Sequence, residues 1–331
     1  MNKQYTAKIA GTGMYAPKRV VNNFDLEKIV DTSDEWIRTR TGMFERHFVA
    51  DDEAASDLAA KAAEKALESA GMRAKDLDMI IIGTVTGDHN YPSTGCIVQK
   101  KLGARNCPAF DVAAGCSGFL YGADIARHYI ENGGAENILV CGVEVLSRFV
   151  DWTDRNTCVL FGDGSGAAVI SRAARTDISR IIDMEIEADG TYGDLLVQPA
   201  GGSRMPATEQ TVRDHEHTVH MEGNRIFKLA VKAMQNQCET VLKRNNWDVR
   251  SIDWLISHQA NMRIIEALGD KLKIDTNKVI VNIHKYANTS AASIPIALDE
   301  SVRAGKIRRG DVVLMTAFGA GLTSGAMLIR Y

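Results

Sequence analysis

The sequence predicts an α/β protein: parallel sheets layered by helices and built from two similar halves. Continuous apolar runs bounded by turn residues recur at 78–83, 138–142 and 252–257, and a strand without polar alternation is one covered on both faces. Between these runs lie stretches with apolar residues at helical spacing, such as 54–70 and 227–244. Strands alternating with helices build parallel sheets. The pattern restarts around 173–178, which divides the chain into an N-terminal half, 1–173, and a C-terminal half, 174–331, that reads as a looser copy of it.

Taken in order, Lys8-Ile-Ala-Gly-Thr-Gly13 is a first strand running into a glycine loop, and Tyr15-Ala-Pro17 follows without starting a helix, so this is no dinucleotide fingerprint. Asp31-Thr-Ser-Asp-Glu-Trp36 is a capped helix start leading into the basic segment Arg38-Thr-Arg-Thr-Gly42; a tryptophan beside guanidinium groups can hold an adenine and its phosphates, although such a Trp is more often half-buried packing. The alanine-rich stretch 54–70 is a helix stopped by Gly71, and 78–83 is a central strand. A helix over 92–102 precedes a short strand over 109–114, and a second helix over 119–130 ends at Gly133-Gly134. In Phe161-Gly-Asp-Gly-Ser-Gly166 the glycines run directly into a β-rich stretch, which indicates close backbone packing rather than a phosphate loop. The second half continues with helices over 227–244, 261–272 and 293–303, and strands over 252–257, 279–282, 311–315 and 325–329.

Composition narrows the function. At 331 residues the chain holds two domains or one large layered unit, and a net charge of −3 carries no nucleic-acid signature. No apolar run is long enough to span a membrane, and the polar N-terminus lacks a secretory signal. The scattered cysteines contain no C-x-x-C pair, which fits a reduced, cytoplasmic protein. His215, His217 and His220 lie in a polar connection without a zinc-like spacing, so a solvated loop is expected and no metal.

The chemistry concentrates at strand ends. Cys116 stands where a strand turns into a helix between Gly115 and Gly118, and the amides and positive end of that helix would favour its thiolate. A free cysteine is most often only a small buried hydrophobe. His258 and Asn288, however, also stand between a strand and a helix, and ligands of α/β sheets gather at the carboxyl ends of strands. One pocket can therefore collect a nucleophile and two polar partners.

Further motifs occur in order along the chain: Arg40-Thr-Gly42, Glu45-Arg-His47, Pro108-Ala-Phe-Asp-Val-Ala-Ala114, His258-Gln-Ala-Asn261, Asn288-Thr-Ser-Ala-Ala-Ser293 and Phe318-Gly-Ala-Gly321. With these, the chain resembles the thiolase-fold condensing enzymes over essentially its whole length, and specifically the β-ketoacyl-[acyl-carrier-protein] synthase III family. The resemblance implies a duplicated five-layered αβαβα architecture and a homodimer. It implies that Cys116 takes a short acyl group from acyl-CoA, a substrate rather than a cofactor. Malonyl-[acyl-carrier protein] would then decarboxylate and condense with it, initiating fatty acid synthesis. His258 and Asn288 would stabilise the enolate, and the backbone N–H groups of Cys116 and Ala320 would hold the acyl carbonyl oxygen. Thr32, Trp36, Arg40, Arg155 and Asn261 would bind CoA, Tyr91 would close the acyl pocket from the partner subunit, and Lys228, Arg263 and Lys271 would receive the carrier protein. Ser324 departs from the tryptophan common at this position of the family, a smaller side chain that bears on local packing near the active-site loop and on primer choice. A condensing enzyme of secondary metabolism with the same triad and a cysteine thioester hydrolase are the competing readings. A thiolase would need a second catalytic cysteine, and none follows Cys238.

Overall fold

The computed structural model describes residues 5–331, so the first residues of the polar N-terminus lie outside the described part. The elements that build the site are, in chain order, β1 (Ala7–Tyr15), α1 (Asp34–Thr41), α2 (Ala55–Ala70), β2 (Met79–Gly83), α3 (Thr94–Leu102), β3 (Ala109–Val112), α4 (Gly118–Glu131), β4 (Asn137–Glu144), β5 (Gly164–Arg172), β6 (Arg180–Ala188), α5 (Gly223–Arg244), β7 (Trp254–Ser257), α6 (Met262–Leu272), α7 (Ser293–Arg303), β8 (Val312–Gly319) and β9 (Thr323–Arg330).

One sheet has the order β1-β5-β4-β2-β3 and the other β6-β9-β8-β7. In the first, β1/β5 and β5/β4 are antiparallel while β4/β2 and β2/β3 are parallel. In the second, β6/β9 and β9/β8 are antiparallel and β8/β7 parallel. A parallel bridge between Leu255 and Val279 supplies the counterpart of β3. The sheets are the same design used twice. The segment 279–282, expected to be a strand, is reduced to that bridge, backed by the Ile280 N–H donating to the Leu255 carbonyl at 2.9 Å.

The layers follow from which face each side chain takes. Along β2, Ile80 and Ile82 pack with Leu58 and Ala62 of α2, whereas Ile81 packs with Phe119 and Leu120 of α4. Both faces of the strand are therefore covered, and alternation would have put a polar side chain into a core. The central core joins α4 and α7 to both sheets, with Ala123, Ile294 and Leu298 against Val140, Met315 and Met327. On the far side, Met234 and Cys238 of α5 and Leu268 of α6 cover Leu255, Leu314 and Leu328. The order is helices, sheet, helices, sheet, helices.

The glycine loop expected after Lys8 does not form, because β1 runs straight through Gly11 and Gly13. A Cβ on either would sit 2.5 Å from the Ala66 carbonyl or 2.3 Å from that of Ala62. These glycines admit α2 against the strand; they do not turn the chain. Gly162 and Gly166 do the same toward Tyr286 and Ile296, as the reading of close packing required.

Candidate active site

The Cys116 turn is built by backbone contact. β3 ends at Val112, a turn over Gly115–Ser117 follows, and α4 starts at Gly118. Gly115 has φ +50°, and a Cβ there would lie 2.7 Å from the Ala320 nitrogen; a Cβ on Gly319 would lie 2.4 Å from the Cys116 nitrogen. Only glycine at both positions lets these two segments touch, which brings the amides of Cys116 and Ala320 side by side. Burial opposes the expected thiolate. Burial pushes the Cys116 thiol up to about 12, with the Ser290 hydroxyl pulling the other way and the charge of Glu144 adding to the rise. Loss of water around the sulfur outweighs the favourable helix end.

His258 follows β7, where its N–H donates to the Thr316 carbonyl at 2.8 Å and extends the ladder to β8. Its Nδ1 lies 2.7 Å from the Ser293 hydroxyl, which also accepts from the Gln259 N–H at 3.4 Å. Where the Ser293 hydroxyl donates to Nδ1, the imidazole proton sits on Nε2, the tautomer that can donate into the cavity. Burial lowers the His258 pKa to about 4, so the ring is neutral near pH 7. Asn288 is fixed by its Oδ1, which accepts from the Ser290 N–H at 2.8 Å, and by main-chain bonds to Leu160 and Gly162. That leaves its Nδ2 as the free donor. Ala287 and Ser290 flank it with φ of +53° and +48°, a left-handed conformation that non-glycine residues hold chiefly at functional sites.

Cys116, His258 and Asn288 line one cavity of about 690 Å³. Trp36, Arg40, Asn261, Lys228 and Arg263 line the same cavity. Two guanidinium groups lie against the Trp36 ring, Arg40 at 5.1 Å and Arg155 at 5.2 Å from its centroid, and Arg155 donates to the Asp31 carbonyl at 3.0 Å. Next to it, the buried Thr32 hydroxyl has no hydrogen-bond partner among the described residues. Asn261 caps α6 by accepting from the Arg263 N–H at 2.9 Å and donates to the Arg40 carbonyl at 3.1 Å, tying α6 to α1.

Of the residues singled out in the sequence, Thr32, Arg155, Ala320, Lys271, Tyr91 and Ser324 do not line this cavity. Lys271 is exposed further along α6, away from Lys228 and Arg263. Tyr91 is 87% exposed and does not line it. Ser324 lies on β9 facing α5, within 3.4 Å of the Gln237 amide, and is not in the cavity lining either. The three histidines of the polar connection have separate partners: His215 meets Asp151, His217 meets Thr211, and His220 meets the His215 carbonyl.

Sequence reasoning missed Glu144, Ser290 and Ser293 as parts of the site. Glu144 had a visible signal, an acid closing the apolar run that was ended two residues early at Gly142. The two serines had none, since Ser-Ala-Ala-Ser reads as a helix start.

Comparison with known proteins gives one answer. The model of the 3-oxoacyl-[acyl-carrier-protein (ACP)] synthase III family matches residues 110–190, and that of its C-terminal part matches 242–331. The chain is 53% identical to the beta-ketoacyl-[acyl-carrier-protein] synthase III of Caldanaerobacter subterraneus subsp. tengcongensis, over 100% of this chain and 99% of the relative. The chain belongs to the β-ketoacyl-[acyl-carrier-protein] synthase III family. The member from Xanthomonas campestris pv. campestris is 47% identical over the full length of both. The crystal structure of the family member from Aquifex aeolicus VF5 superposes with a TM-score of 0.90 at 49% identity, covering 98% of this chain and 100% of that one. These likenesses assign the five layers described above to the thiolase fold.

Proposed function

We propose that the protein primes fatty acid synthesis by condensing a short acyl group, carried on Cys116, with malonyl-[acyl-carrier protein]. The observation that carries this reading is that the half-buried Cys116 thiol, a neutral imidazole held at Nδ1 by Ser293 and a carboxamide with a free Nδ2 line one cavity. In the first half-reaction the Cys116 sulfur attacks the acyl-CoA carbonyl. The adjacent amides of Cys116 and Ala320 receive the negative oxygen, and CoA leaves. In the second, the bond from the malonyl methylene to its carboxylate breaks and CO2 departs. The electron pair spreads onto the thioester oxygen, where His258 Nε2 and Asn288 Nδ2 donate to it. Preorganised neutral donors in a dry site stabilise such an enolate strongly. The enolate carbon then attacks the acyl-enzyme, expelling Cys116 and forming the 3-oxoacyl product.

The CoA arm fits Trp36 with Arg40 and Arg155 against its ring, with Thr32 and Asn261 as polar contacts. The adenine would take the place of direct guanidinium contact with the ring, and the phosphates would meet the cations. Lys228 and Arg263 on the cavity wall, and Lys271 beyond them on α6, offer positive charge to an acidic carrier protein. The homodimer is supported by β3, an edge strand only half buried along its length, since an open edge pairs readily with another strand. Asp111 on that strand accepts from the Thr94 and Gly95 N–H groups at 2.7 Å each, which ties the Tyr91 loop to the same edge. A second copy paired there would receive Tyr91 at its own acyl pocket. Free cysteines and the lack, among the described residues, of any helix able to cross a membrane fit a reduced cytoplasmic setting.

The test is intact-protein mass after mixing with acetyl-CoA, a branched acyl-CoA or a longer acyl-CoA, followed by malonyl-carrier protein. An adduct on Cys116 that the malonyl donor discharges as 3-oxoacyl product is expected, and its identity names the primer. Discharge only to free acid would indicate a thioester hydrolase instead.

A further inference from the structure

Glu144 ends β4 fully buried, and among the described residues no lysine, arginine or histidine forms a salt bridge with it. A buried carboxylate without a cation is costly unless it has work to do. Its neighbours come from three segments. The stretch after β2 presents the Thr84 hydroxyl at 3.3 Å, the Val85 N–H at 3.3 Å and the Thr86 hydroxyl in a short contact. The turn before α7 presents the Ser290 hydroxyl, which donates to Glu144 Oε1 at 3.2 Å. The turn before α4 presents Cys116, the titratable group of this set, and packs against the turn that carries Ser290. The turn that carries Ser290 thus packs against both the Cys116 turn and the end of β4, and its hydroxyl donates to Glu144 Oε1.

Thioester formation must dispose of the thiol proton. His258 is poorly placed to take it, because Nδ1 is engaged by Ser293 and burial opposes a charged ring. We propose that Glu144 takes up the Cys116 proton through Ser290 as the acyl-enzyme forms, stores it, and returns it when Cys116 is expelled. As the sulfur–acyl bond forms, the S–H proton passes to Ser290 Oγ and the Ser290 proton passes to Glu144. CoA departs as a thiolate that takes a proton from water. In the condensation the sulfur–acyl bond breaks, the thiolate recovers a proton from Ser290, and Ser290 recovers its own from Glu144. Burial raises the Glu144 carboxyl to about 7, against the pull of the four donors around it, so both of its forms are accessible at neutral pH.

This inference rests on the acyl-transfer reading above, and the experiment separates the two. Acylation of Cys116 by acetyl-CoA is followed by quenched intact mass across neutral pH for wild type, Glu144→Gln, Ser290→Ala and Glu144→Asp. The wild-type rate should rise with pH through a midpoint near 7. Glu144→Gln and Ser290→Ala should each slow acylation roughly 100-fold, the scale of proton-transfer catalysis, lose that rise and leave the acetyl-CoA concentration at half-saturation nearly unchanged. Glu144→Asp should recover part of the rate together with a pH-dependent rise. Slowing with the rise intact would mean a purely structural role and overturn the proposal, as would wild-type behaviour in both neutral variants. If Glu144→Gln does not fold, Ser290→Ala decides alone by the same criterion. No adduct on the wild-type protein would defeat the acyl-transfer reading itself.

Discussion

At the nucleophile, burial and the helix end oppose each other, and burial prevails, pushing the thiol up to about 12. Cys116→Ala is expected to abolish the acyl adduct in intact mass while leaving the fold unchanged by circular dichroism. Asn288→Ala should still form the adduct but slow release of CO2 from malonyl-carrier protein roughly 100- to 1,000-fold, the usual loss for one oxyanion donor, measured with labelled malonyl carboxylate. His258 carries a stability consequence as well. Its pKa falls from 6.5 in the unfolded chain to about 4 in the fold, so between those values the unfolded chain binds more protons. Stability from this group is complete above about 6.5, declines as pH falls and is gone below about 4. Melting temperatures recorded over that window should fall more steeply for wild type than for His258→Asn.

Among the elements, the glycines rather than the long helices hold the site together. Gly319 ends β8 against the Cys116 turn, and a methyl group there would meet the Cys116 nitrogen at 2.4 Å. Gly319→Ala should cost about 1–3 kcal/mol, as overpacking does, and should also slow acylation by parting the two amides; thermal melts and adduct formation read the two effects separately. Most elements were legible because burial on both faces leaves continuous apolar runs, and amphipathic helices such as α2 repeat on a clear period. Cys116 and His258 stood out because each is polar at a strand end, whereas Asn288 follows a one-turn helix over Ile283–Tyr286 and not the strand expected over 279–282. What escaped had long-range causes. Gly11 and Gly13 are glycines because α2 passes over them, a contact separated by some fifty residues of chain. The segment after Ile274 has strand-like composition, yet its pairing narrows to one bridge at Val279. Glu144 looks like an ordinary strand-ending acid until the turns before α4 and α7 are brought around it.

At the scale of the whole molecule, the half-buried edge strand β3 and the exposed Tyr91 are linked through Asp111. If two copies join along β3, Tyr91 acts on the neighbour's acyl pocket, and mixing experiments can tell this from action within one chain. Tyr91→Gly removes the ring and should let longer acyl-CoAs load Cys116, seen as adducts that wild type does not form. The Tyr91→Gly chain is then co-expressed with an excess of Cys116→Ala chain and mixed dimers are isolated by differential tagging. In such a dimer the sole active Cys116 belongs to the Tyr91→Gly chain, while the tyrosine facing it belongs to the Cys116→Ala chain. Supply of the plug by the partner predicts that the adduct range narrows back to that of wild type. A range that stays broad places Tyr91 in its own chain's pocket, or nowhere near one, and removes the link between the open edge and primer choice. Because both chains fold around the same core and differ only at these exposed or cavity-facing positions, the outcome reports geometry rather than stability.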